Sequence, residues 1–215
     1  GKANALGPTV ITDLHAALDR AEADAGAVVL IGRPGRFSAG FDLSVIRESP
    51  EAARSLVGAG GELCMRLFGF PRPVVAACTG HAVAAGALVL LSCDLRLGAD
   101  VEARIGLPEV GIGMYLPRLA TTLAEARLSR RHLTRATLLA TMYDPRGAVD
   151  VGFLDEVVPA DELEERALAA ATAAATGLSP EGFARTRERL RGALIDAVRA
   201  SASDDLADFG APTDG

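Results

Sequence analysis

The stretch Ala27-Val28-Val29-Leu30-Ile31-Gly32 is apolar at every position and closes on a glycine. A strand wetted on one face alternates polar and apolar residues, whereas a strand covered on both faces, as in a parallel sheet, reads as an unbroken apolar run. Val74-Val75-Ala76-Ala77-Cys78 repeats the pattern, and Asp94-Leu95-Arg96-Leu97 reads as a short third strand. Helical periods lie around them: Val10, Ile11, Leu14 and Leu18 mark a helix over 8–24 starting near Pro8 or Thr9. Residues 50–69 read as a second helix, broken by Pro71-Arg72-Pro73, and an apolar helix runs from about Ala84 to Ser92. Arg33-Pro34-Gly35-Arg36 and Thr79-Gly80 read as turns. Apolar strands alternating with helices predict an α/β fold with a parallel sheet. After Pro117 the one strand signal is Glu156-Val157-Val158, and helical periods cover about 117–127, 130–141, 145–151, 161–177 and 180–200. The last third is therefore expected to be a helical layer, followed by a mobile Ser/Asp/Gly-rich tail at 201–215.

A chain of 215 residues fits one domain, with or without a small helical appendage. Its residues are 49% hydrophobic but only 4% aromatic, with no Trp, so the core is built from Ala, Val, Leu and Ile. The formal net charge of −6 argues against nucleic-acid binding through a broad basic face, while leaving room for a local cationic patch toward a phosphorylated ligand. Cys64, Cys78 and Cys93 are odd in number and sit in apolar surroundings, which predicts buried free thiols in a reducing cytoplasm. No cysteine pair has metal-ligand spacing, and only His15, His81 and His132 could supply imidazole, so no metal site is expected. No apolar run is long enough to span a membrane and no signal segment opens the sequence, so a soluble cytoplasmic protein without membrane partners is expected. Gly1-Lys2-Ala3-Asn4-Ala5-Leu6 reads like the inside of a domain, and a preceding strand or hairpin is expected.

Two small-residue segments carry the chemistry. Negative charge developing on a carbonyl oxygen is offset by fixed backbone N–H donors, and losing one such donor costs roughly 3–4 kcal/mol of transition-state stabilisation. Those donors need uncovered backbone, hence small neighbours. Ser38-Ala39-Gly40, after the first strand, supplies them, and the next N–H belongs to Phe41. Gly80-His81-Ala82-Val83-Ala84-Ala85-Gly86 leads from a strand into a helix, whose first-turn N–H groups lack intrahelical partners and whose dipole favours negative charge. Either segment alone has the composition of an ordinary turn.

Together they are more specific. Phe37-Ser38-Ala39-Gly40-Phe41-Asp42-Leu43 and, about forty residues on, Ala77-Cys78-Thr79-Gly80-His81-Ala82-Val83-Ala84-Ala85-Gly86 with Ser92-Cys93-Asp94-Leu95 resemble the crotonase, or enoyl-CoA hydratase/isomerase, family. The resemblance continues through Arg104-Ile105-Gly106-Leu107-Pro108-Glu109-Val110-Gly111-Ile112-Gly113 and Ala148–Val158, and Lys2-Ala3-Asn4-Ala5-Leu6 is similar to the family's opening block. It spans nearly the whole chain in order. It implies a crotonase-like spiral of ββα units over 1–140, a C-terminal helical trimerisation region over 141–200, and a homotrimer or dimer of trimers. It also implies catalysis on coenzyme A thioesters, with no cofactor beyond the thioester substrate. Carried over, the oxyanion donors are the N–H groups of Phe41 and Ala85, the latter replacing the family's usual glycine. Ala39, Gly40, Ala84, Met114 and Tyr115 would line the substrate site, and residues 44–66 (Val45, Ile46, Leu56, Leu63, Met65) would wall the acyl pocket.

Family hydratases use two glutamates. The first position is Leu88 here; the second is Glu109. Adding water across a double bond is helped by one carboxylate that orients water and another that supplies a proton, whereas shuttling a proton between two carbons needs only one. The pattern resembles Δ3,Δ2-enoyl-CoA isomerases on this point. An apolar Leu88 would dry the pocket and raise the Glu109 pKa toward neutrality. A solvated turn carboxylate is the bland reading of Glu109. His81 could touch substrate, serve as an acid, or simply be a hydrogen-bonded structural histidine. Asp42 is expected to hold the turn after Phe41, and Asp94 to order the strand start. Lys2, Arg36 and, from the last helix of a neighbouring subunit, Arg185 or Arg187 are candidate partners for the coenzyme A phosphates, an ordinary solvated surface being the alternative for each arginine. Three functions stay open: an enoyl-CoA hydratase/isomerase-type enzyme, a thioester hydrolase or C–C-cleaving relative using the same oxyanion site, and a non-catalytic acyl-CoA binder.

Overall fold

The computed structural model describes residues 4–207. After α1 (Pro8–Asp24) comes a strand pair, β1 (Val28–Ile31) and β2 (Gly35–Ser38), then the short α2 (Leu43–Ile46) and the long α3 (Pro50–Phe68). A second pair, β3 (Val74–Cys78) and β4 (Gly80–Val83), runs into α4 (Ala85–Ser92). A third, β5 (Leu95–Ala99) and β6 (Ile105–Gly106), passes through a 3-10 turn at Glu109–Ile112 into α5 (Arg118–Arg127). α6 (Leu133–Ala136), α7 (Pro145–Val151), β7 (Glu156–Val158), α8 (Leu163–Gly177) and α9 (Pro180–Asp205) complete the described chain.

Each pair gives one strand to each of two parallel sheets, ordered β1-β3-β5-β7 and β2-β4-β6. Strand, corner, strand, helix, three times over, is the ββα spiral that the resemblance implies. Successive corners touch backbone to backbone: a Cβ on Gly80 would lie 2.2 Å from the Gly35 carbonyl. The unbroken apolar pattern of β3 has its cause in cover on both faces. Val74, Ala76 and Cys78 enter the main core with Leu63, Phe68 and Leu90. Val75 and Ala77, on the other face, meet Leu163, Ala167 and Ala171 of α8. All eight residues of α4 are buried, as a helix apolar on every side must be.

Polar groups fasten the layers. Asp94 accepts from the Val74 N–H at 2.9 Å, which orders the strand start as expected, and also from Arg191 at 3.0 Å and from Arg187. Arg96 makes a paired contact with Asp155 at 2.6 and 2.9 Å, tying β5 to the approach to β7. The three cysteines are free and buried, and burial pushes the Cys64 and Cys78 thiols up to about 12. No described helix is long and apolar enough to cross a membrane.

Three expectations change. The second strands of the pairs, β2, β4 and β6, were legible only as turn or loop, because they are two to four residues long and each contains glycine. The helical period over 130–141 yields only the four-residue α6, which breaks up by Ala140, a non-glycine residue at φ 48°. The mobile tail does not begin at 201, since α9 continues to Asp205, whose side chain accepts from the Arg118 N–H at 2.6 Å. The rest of that tail, 208–215, lies outside the described residues.

Candidate active site

The two small-residue segments lie side by side. Leu6 forms a parallel bridge to Phe41, its N–H donating to Gly40 at 2.8 Å and its carbonyl accepting from Asp42 at 3.1 Å. In such a bridge the central residue's own N–H points away from the partner strand, so the Phe41 N–H faces away from Leu6. The Asp42 side chain accepts from the Ser44 N–H at 2.9 Å and caps α2, the turn-holding role expected of it. On the facing segment Ala84 sits at φ 54°, ψ −125°, and its carbonyl accepts from Ala87 and Leu88 at 2.8 and 3.1 Å. This leaves the Ala85 N–H at the first position of α4, where no intrahelical acceptor exists.

Glycine permits the close approach. A Cβ on Gly40 would lie 3.1 Å from the Ala84 Cβ and 3.4 Å from the Ala85 nitrogen, and one on Gly86 would lie 2.3 Å from the Ser38 carbonyl oxygen. A Cβ on Gly60 would collide with the Phe41 ring, which therefore packs on bare α3 backbone.

Both segments open on an apolar cavity of about 230 Å³. Ala39, Phe41, Ala84, Ala85, Glu109, Met114 and Tyr115 all line it, together with Leu88. The 3-10 turn that carries Glu109 follows Pro108 and is closed by Gly113 at φ 80°. Glu109 is 8% exposed, and its Oε2 has no hydrogen-bond partner among the described residues. Burial pushes its pKa up to about 7, against the pull of a hydrogen bond from its own backbone N–H. The site thus joins a buried carboxyl group, the backbone of Phe41 and Ala85, and an apolar wall.

Other residues fall elsewhere. Gly40 is a spacer between the segments and does not line the cavity. His81 belongs to a separate groove with Asn4, Arg33, Arg36 and Glu102, where its Nδ1 accepts from the Arg104 N–H at 3.0 Å. Its side chain points to that face of β4 because strand residues alternate sides. Arg187 cannot reach outward, being buried against Asp94, whereas Arg185 pairs with Glu181 on the surface at 3.0 Å. Lys2 lies outside the described residues. Of the stretch 44–66 expected to wall the pocket, Ile46 and Val57 do so, while Leu56, Leu63 and Met65 belong to the core. The structure adds Leu43, Pro117 and Leu119, and puts Val57 in the place expected of Leu56. Val57 is one position from Leu56 along α3, a difference of about 100° around the helix that hydrophobicity alone does not resolve.

A family model described as enoyl-CoA hydratase/isomerase matches residues 1–206. The chain is 34% identical over 172 residues to the human mitochondrial enoyl-CoA delta isomerase 1, covering 78% of this chain and 57% of that protein. It is 35% identical over 193 residues to a putative enoyl-CoA hydratase of Thermus thermophilus, covering 87% and 75%. The chain therefore spans less than two thirds of the human relative's length. Among solved structures, an enoyl-CoA hydratase/isomerase family protein from Pseudomonas syringae matches with a TM-score of 0.93 at 42% identity, covering 96% of this chain and 90% of the other.

Proposed function

The chain belongs to the enoyl-CoA hydratase/isomerase family of the crotonase superfamily, and we propose that it shifts a double bond within an enoyl-CoA thioester, using Glu109 as its single acid–base group. The observation that carries this reading is one buried carboxyl group, its Oε2 without a hydrogen-bond partner among the described residues, in an apolar cavity that also receives Phe41 and Ala85. Leu88 stands at the first of the two family glutamate positions, and Glu109, at the other, is the one carboxylate lining that cavity among the described residues. Water activation lacks its second carboxylate, while proton shuttling needs only the first.

The steps follow from that inventory. The Glu109 carboxylate removes a proton from the carbon between the thioester carbonyl and the double bond of a 3-enoyl-CoA. The electron pair moves onto the thioester oxygen, giving a dienolate held by the Phe41 and Ala85 N–H groups. Glu109 then returns the same proton to the far end of the dienolate, leaving the conjugated 2-enoyl thioester. A base whose pKa lies near 7 combines adequate basicity with a substantial ionised fraction at neutral pH. The groove that holds Arg33, Arg36 and His81 is a cationic place for the coenzyme A phosphates, and the scheme uses no other cofactor.

Crotonyl-CoA and a 3-enoyl-CoA, each followed through the absorbance of the conjugated thioester, test the reading. Conjugation appearing from the 3-enoyl substrate, and slowed about 10²- to 10⁴-fold in Glu109→Gln, is expected. Fast hydration of crotonyl-CoA lost in the same variant sinks the isomerase assignment, and undiminished turnover removes Glu109 from the mechanism.

A further inference from the structure

A second cavity, of about 70 Å³, lies between α3 and the last turns of α9. Gly58, Gly61, Met65, Val198, Ala202 and Leu206 line it, with the half-exposed Glu62–Arg199 ion pair and Asp205 also on its walls. Val57, Pro117 and Leu119 line this cavity and the Glu109 cavity alike, so they form the partition between the two.

The interior of α3 carries Gly58, Gly60 and Gly61, although each glycine weakens a helix relative to alanine. Two have a packing reason. A Cβ at position 60 would strike the Phe41 ring at 2.2 Å, and one at 61 would press on Leu119 Cδ2 at 3.2 Å. Gly58 has none, because a Cβ there would meet only Leu206 Cδ1, at 3.6 Å, an ordinary contact. What its bare Cα does is leave the second cavity open. At roughly 30 Å³ for a water-sized group, the space holds about two such groups, and a methylene is of similar size.

We infer that the second cavity is a continuation of the acyl site, receiving the distal carbons of longer acyl chains when Leu119 turns aside. Val57, Leu119 and Gly58 then set the chain-length limit. The inference rests on the thioester reading above, and its occupant follows from the mostly apolar walls and the partition shared with the Glu109 cavity.

The test is a ladder of 3-enoyl-CoA substrates from hexenoyl to dodecenoyl, read as the ratio of kcat/KM for the longest to the shortest. Gly58→Leu fills the second cavity from the helix side, and the ratio falls at least about tenfold, since one methylene more or less in an apolar pocket is worth 10-fold or more. Leu119→Ala removes the partition and raises the ratio by a similar factor. Should Leu119→Ala fail to fold, Gly58→Leu decides alone, since it replaces a helix-weakening glycine. A ratio unmoved in Gly58→Leu, with wild-type turnover intact, overturns the inference and leaves the thioester reading standing. A wild-type protein that neither binds nor turns over any member of the ladder overturns both.

Discussion

Glu109 joins an unstable placement to a useful one. Its folded-state pKa of about 7 stands above the ordinary 4.5 because burial penalises the ionised form. Below pH 4.5 both the folded and the unfolded chain hold the proton and the native state bears no penalty. Between 4.5 and 7 the unfolded chain ionises first, so stability falls as pH rises, by a total on the order of 3 kcal/mol. Glu109→Gln removes the titration. Denaturant melts are expected to show that variant near wild-type stability at about pH 4 and more stable at about pH 8, and a variant less stable at the higher pH would contradict the assignment. With Glu109 as the base proposed above, activity is expected to run the other way, kcat/KM rising with pH through about 7 as the carboxyl group loses its proton. Ala84 is a second strained residue, held at φ 54° and ψ −125° where a side chain is disfavoured. Ala84→Gly is expected to stabilise the fold by about 1 kcal/mol, a rise of about 2–4 °C in Tm for a chain of this length, measured by thermal unfolding. Neither property was legible beforehand in full. Leu88 and Pro108-Glu109 foretold a raised pKa, but the backbone strain at Ala84 depends on Gly40 and Gly86 bringing two distant segments together.

The elements read most clearly were those long enough to hold a period. α1, α3, α4, α8 and α9 lie where apolar spacing puts them, β1 and β3 where unbroken apolar runs do, and β5 begins within the short Asp94–Leu97 segment. The second sheet escaped because Gly35-Arg36-Phe37-Ser38, Gly80-His81-Ala82-Val83 and Ile105-Gly106 are too short for alternation to emerge. That sheet nevertheless positions the site, since β2 delivers Phe41 and β4 delivers Ala85. The joint between elements that depends most on one side chain is Asp94. It receives the Val74 N–H at the start of β3 and both Arg187 and Arg191 of α9. Arg187 is 6% exposed, so Asp94→Ala leaves a buried cation unpaired as well as an unmet N–H. The expected loss is about 3–5 kcal/mol in urea unfolding, against well under about 1 kcal/mol for Glu181→Ala at the exposed Arg185 pair. Equal losses at the two sites would refute the buried cluster as the fastening of α9 to the sheet.

At the scale of the whole molecule, one group of exposed apolar side chains lies beside the site. Ile112 is 68% exposed, Leu138 66%, Leu139 65% and Val110 41%. A Cβ on Gly111 would lie 3.4 Å from the Ala140 Cβ, so the 3-10 turn that carries Glu109 runs beside the segment after α6, and these apolar side chains share a neighbourhood. Single exposed leucines are commonplace, but a contiguous group marks a contact surface. The trimer expected from the family resemblance would give this group a partner, and its cover would reach the site. Ile112 lines the Glu109 cavity as well as the exposed surface, so covering it narrows the cavity mouth and dries the carboxyl group further. Sedimentation of the full chain is expected to give a trimer or a multiple of it. Leu139→Glu, placing a charge in the group without touching the cavity, is expected to shift the species toward monomer and to lower kcat/KM. Because Glu109 would then be better hydrated, the limb of its pH–rate profile moves to lower pH than in the wild type. A wild-type monomer removes the assembly argument, whereas a Leu139→Glu monomer with an unshifted pH profile separates assembly from the chemistry of Glu109.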